Sequence, residues 1–166
     1  MSIETLPVGW QTYTTDDHVI LTHRGGSQDV VINMWFPQIE LTDEYNLNNA
    51  VFEIASMMET EQGLRVTRPT SVMWGLHDAA YFLITNDDPD ASMIVVVDMG
   101  DGTVLGINIR GIDANFNGLR DHLVALFESF AVNEILLGNE LFRTMPDTMM
   151  LPARNPEAAL DPSAEP

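Results

Sequence analysis

Residues 92–99 (Ser-Met-Ile-Val-Val-Val-Asp-Met) are a nearly unbroken apolar run, and Gly100-Asp101-Gly102 ends it. The chain returns at once as 103–110 (Thr-Val-Leu-Gly-Ile-Asn-Ile-Arg). An Asp-Gly step between two such runs is a strong short-range hairpin signal, because both central turn positions want positive φ. Upstream, 79–85 (Ala-Ala-Tyr-Phe-Leu-Ile-Thr) is a third apolar segment, separated from 92–99 by the turn-forming Asn86-Asp87-Asp88-Pro89-Asp90. These residues predict a three-strand antiparallel meander over 79–110.

The flanking segments complete an α+β pattern. Residues 17–24 and 29–36 are rich in β-branched side chains and are split by Gly25-Gly26-Ser27, so they predict a second hairpin. Thr42 or Asp43 can cap a helix running to about Gln62, with Gly63 at its end. Its apolar positions Leu47, Val51, Ile54, Ala55 and Met58 fall on one face. Residues 64–68 and 71–76 predict short strands. A second helix over about 115–130 carries the stripe Leu119, Leu123, Leu126, Phe127 and Phe130. Residues 131–143 predict at most a short docking helix. The expectation is one antiparallel sheet of about six strands covered by helices, a single domain over 1–137, and a Pro-rich tail over 138–166 that is partly disordered. The tail carries Met145, Met149 and Met150, which can dock on the domain or on another chain.

Charge sets limits on function. The chain has 25 Asp+Glu against 7 Lys+Arg, a formal net charge of -18, in 166 residues. All seven cations are arginines, so Schiff-base chemistry and a phosphate-loop lysine are excluded. Nucleic acid and anionic membrane surfaces are poor partners, because both are bound through Lys and Arg. A basic or cation-bridged protein partner is electrostatically acceptable. The absence of cysteine removes disulfides, thiolate nucleophiles and cysteine metal sites. No run of about 18 apolar residues predicts a membrane span, and the acidic start has no signal-peptide core. At face value this predicts a cytoplasmic protein, or an extracytoplasmic one if the chain is a trimmed mature form.

The order of strand pair, helix, meander and helix, with Leu6-Pro7-Val8-Gly9-Trp10 at the start and the closing segment Leu119 to Phe130, resembles the PsbP-like α/β/α sandwich family. That family includes the photosystem II extrinsic subunit P, a Ran-binding nuclear import factor and bacterial envelope proteins of the DcrB type. The resemblance covers residues 6 to about 132. It implies a non-catalytic interaction domain and transfers no catalytic residues; a bacterial protein without a cofactor, calcium apart, is the accompanying expectation.

Candidate sites follow from residue chemistry. Asp87, Asp88 and Asp90 share one turn, and Asp98 and Asp101 flank the hairpin at the other end of the same strand. Hard cations such as calcium take carboxylate oxygens from loops of this kind. The two clusters lie roughly 25–30 Å apart at about 3.3 Å per residue, so they are two separate loop sites. Turn chemistry explains both clusters without a metal. His77-Asp78 is the best acid–base pair by adjacency and supports a hydrolase-like alternative, although strand neighbours point apart. His18 and His23 have an odd separation, which predicts opposite sheet faces, and His122 lies at a helix margin. Trp10, Trp35 and Trp74 can line a pocket between sheet and helix or serve as buried anchors. The leading expectation is a non-enzymatic accessory module that contacts a protein partner through a sheet face or a loop end.

Overall fold

A computed structural model describes residues 6–25, 28–84, 91–112, 119–128, 130–132 and 135–144. Seven strands form one antiparallel sheet: β1 (Trp10–Thr14), β2 (His18–Gly25), β3 (Gln28–Trp35), β4 (Thr70–Trp74), β5 (His77–Ile84), β6 (Ala91–Asp98) and β7 (Val104–Ile112), in the order β1-β2-β3-β7-β6-β5-β4. The expected meander is present as β5-β6-β7, and the expected hairpin as β2-β3. Between them β3 pairs with β7, so two local hairpin systems merge into one sheet.

The strand count is seven rather than about six. β1 pairs with β2 from Trp10↔His23 to Thr14↔Val19, although residues 11–14 are all exposed. Exposure on both faces leaves no apolar alternation to read, and the backbone ladder alone defines the strand. Conversely, 64–68 contributes only an isolated bridge, Val66↔Ile84.

Strand alternation divides the buried residues into two cores. On one face, Leu21, Ile32, Val95, Ile107 and their neighbours pack against helix α2 (Leu119–Phe127) and helix α3 (Glu140–Thr144). On the other, Phe82, Ile94 and Val96 pack against Val51, Ile54 and Ala55 of helix α1 (Leu47–Gln62). α1 starts later than expected. Asn46 caps it in a reciprocal capping box with Asn49, while Thr42 closes a preceding turn with Tyr45. Gly63 ends it in the left-handed conformation at φ 65.

The packed domain also extends past residue 137. After a small hairpin of β8 (Ala131–Val132) and β9 (Ile135–Leu136), α3 buries Leu141 and Phe142. Phe142 stands edge-on to Trp74 and stacks with Phe127, and the Trp74 indole N–H donates to the Gly138 carbonyl at 2.8 Å. α3 overlaps the end of 131–143, where the sequence predicts at most a short docking helix, and five residues are too few for a periodic stripe to fix its bounds. The remaining tail, 145–166, lies outside the described residues. No helix among the described residues is long and apolar enough to cross a membrane.

Candidate ligand groove on the half-covered sheet face

α1 packs over β5 and β6, at one side of its sheet face. On that face the ladder register builds three cross-strand rows. The first runs Val96, Gly106, Trp35, His18. The second runs Ile94, Asn108, Asn33, Ile20, Tyr13, and the third Ser92, Arg110, Val31, Thr22, Gln11. The β6 ends of the first two rows are buried under α1. Beyond β6 the rows emerge beside the helix as the floor of a groove.

The groove has a volume of about 530 Å³, within the range of about 300–1,000 Å³ typical of small-ligand sites. His18, Asn33, Trp35 and Asn108 form its floor, and Glu53, Ile54, Met57 and Met58 of α1 form one wall. Gln38 and Gln62 add two more amides. Trp35 owes its position to Gly106. A Cβ at Gly106 would stand 2.7 Å from two atoms of the indole, so the ring lies directly on the β7 backbone. The His18 ring is stacked beside it at 6.4 Å between centroids.

Hydrogen bonds set the polar groups. His18 Nδ1 lies 3.0 Å from Asn33 Oδ1, which can only accept. Nδ1 therefore carries the proton, and Nε2 of a neutral ring is an acceptor. Ser92 donates its hydroxyl to Asn108 Oδ1 at 3.2 Å, which leaves the Asn108 NH₂ as a donor. Tyr45 donates its phenol to Glu53 Oε2. That hydrogen bond, with smaller contributions from burial and from the Glu53 charge, pushes the Tyr45 pKa up to about 12. Glu53 is thereby held on the groove wall.

The sequence candidates fall elsewhere. His18 and His23 face opposite sides of the sheet, as their spacing predicts. His18 lies in the groove, whereas His23 lies on the α2 side, 4.0 Å from the His122 ring and 5.1 Å from Trp10. His77 and Asp78 are not brought together. His77 pairs across β4 with Trp74 and donates from Nδ1 to the Asp98 carbonyl at 3.0 Å. Asp78 is exposed on the α1 face, beside Asn46 and Ser71.

Asp87, Asp88 and Asp90 lie outside the described residues. Asp98 and Asp101 brace the β6–β7 turn, accepting from Gly100 N at 2.8 Å and from Thr103 N at 2.9 Å. The Thr103 hydroxyl and then its N–H hold the Asp101 carboxyl below its ordinary pKa. Among the described residues no three His, Asp or Glu side chains are grouped to hold a metal ion.

Of the three tryptophans, Trp10 and Trp74 are buried anchors on the α2 side, and Trp35 alone lines the groove. Sequence reading missed Asn33 and Asn108. Their signal is a single amide inside an otherwise apolar strand, Val-Val-Ile-Asn-Met-Trp and Gly-Ile-Asn-Ile. Only the register Asn33↔Asn108 makes them neighbours. No protein-family model and no curated protein matches this chain.

Proposed function

We propose that this chain is a non-enzymatic binding module whose site is the groove between α1 and the β2-β3-β7 half of the sheet. The observation that carries the reading is the Trp35–Gly106 arrangement. A large aromatic ring is held against the floor of a concave site, half exposed, with amide groups from two strands beside it. A few placed polar groups around an apolar and aromatic lining is the general character of ligand sites. Of the described side chains lining the groove only His18 and Glu53 belong to nucleophile classes, and each is engaged, His18 by Asn33 and Glu53 by the Tyr45 phenol, which favours binding over covalent catalysis. The resemblance to PsbP-like interaction domains points the same way.

The test is a fragment screen by nitrogen-15 NMR on the intact chain. Shifts should concentrate on the Trp35 indole N–H and on the side-chain amides of Asn33 and Asn108, and Trp35→Ala should abolish them. Hits that map reproducibly away from these groups, or none across a diverse library, would sink the reading.

A further inference from the structure

We infer that the groove takes a basic segment of a protein partner, with an arginine or lysine side chain laid on Trp35 beside Glu53. This rests on the binding-module reading above and names the chemistry of the occupant. The first ground is charge. Glu53 is the one formally charged side chain among the described residues lining the groove. Its carboxylate is steered by the Tyr45 phenol. The other polar liners are amides and the His18 ring. Arg110, one ladder row further along the same face, is already engaged in an interaction of its own. The chain as a whole carries a formal charge of -18 and no lysine, so its field draws cations in and repels anions.

The second ground is shape. An indole face is the best aromatic partner for a guanidinium or ammonium group. Ile54, Met57 and Met58 beside it offer an apolar wall for the methylene stem that such a side chain carries.

The third ground is extent, and it decides for a peptide over a small free cation. The floor does not stop at the groove. The second and third rows continue through half-exposed Ile20, Val31 and Thr22 to Tyr13, which is 66% exposed on the edge strand β1. From β7 to β1 the floor crosses three inter-strand gaps, about 14 Å at roughly 4.8 Å each. An extended segment of about four or five residues spans that distance, and apolar side chains two residues from the arginine, which share its face, meet Ile20 and Val31.

The experiment titrates the intact chain with a capped pentapeptide carrying arginine at its first position, leucine at its third and fifth and serine between them, followed by NMR and calorimetry. We expect shifts at Trp35, Asn33 and Ile20. Trp35→Ala should weaken binding by about tenfold or more, with Trp35→Phe intermediate, which separates a lost ring contact from a lost fold. Glu53→Gln should weaken binding about three- to tenfold. Glu59→Gln removes the same charge from a part of α1 outside the groove and should change affinity by less than about twofold.

Equal effects of Glu53→Gln and Glu59→Gln would mean diffuse attraction and overturn the proposal. If agmatine, a free guanidinium compound, binds as tightly as the peptide, the peptide partner is overturned in favour of a small cation. Equal binding of the same peptide with citrulline for arginine would refute the cationic class yet leave the groove reading standing. If neither charged nor neutral probes shift Trp35, both fail together.

Discussion

Gly106 and Trp35 compete for one space, and that is the sharpest constraint at the scale of single residues. The missing Cβ of Gly106 lets the indole rest on the β7 backbone. Gly106→Ala should therefore lower stability by about 1–3 kcal/mol through overpacking. In a Trp35→Val background the same change should be nearly neutral, giving a coupling on the order of 1–2 kcal/mol in a double-mutant cycle by urea denaturation. Additive effects would mean that the ring does not depend on the glycine. Tyr45 gives a second residue-scale test. Its pKa is raised to about 12 because the neutral phenol donates to Glu53. The stabilisation is therefore complete below the ordinary tyrosine value of 10.0 and is lost as pH rises through about 12. In an ultraviolet titration, the tyrosinate signal missing from Tyr45→Phe should have its midpoint near 12. Glu53→Ala should bring that midpoint down toward 10.

At the scale of elements, α1 and α3 do different work. α1 is specified locally, by its apolar face, its Asn46 cap and the left-handed Gly63. It covers only part of its sheet face, and the groove exists because of that shortfall. α3 has little local specification. Five residues cannot stabilise an isolated helix, so packing must hold it. Phe142 supplies that packing, fully buried against Trp74 and Phe127. Phe142→Ala should lower unfolding free energy by about 3–5 kcal/mol, measured by urea denaturation. A loss below about 1 kcal/mol would mean that α3 is only an appendage.

At the scale of the whole molecule, the charge of -18 acts on folding as well as on partners. Repulsion among carboxylates opposes the compact state. Raising ionic strength from about 0.01 M to about 0.15 M shortens the screening length from about 30 Å to about 8 Å. The melting temperature should then rise by about 2–4 °C, on the order of 1 kcal/mol for a chain of this size. A flat or falling trend would show that the charges are spaced too widely to interact. The same salt series should weaken binding of the arginine peptide, so opposite signs are expected for stability and affinity.

The strands of the meander, the β2–β3 hairpin, the buried stripe of α1 and the opposite faces of His18 and His23 were all legible in the residues. Each depends on neighbours in sequence, through turn chemistry or a period of two or 3.6. β1 was not legible as an element, and α3 was legible only as a short docking helix without bounds. Beyond Trp10 the residues of β1 are exposed on both faces, α3 is one short turn, and long-range contacts define both. The groove was less legible still. Trp35 was visible as a candidate, but nothing local distinguishes it from Trp10 or Trp74. His18, Asn33 and Trp35 come from one hairpin, Asn108 from β7 and Glu53 from α1. Chain periodicity determines which way a side chain faces. Only the register of β3 on β7, and the decision of α1 to pack over β5 and β6, determined which outward-facing residues became neighbours and which of them stayed uncovered.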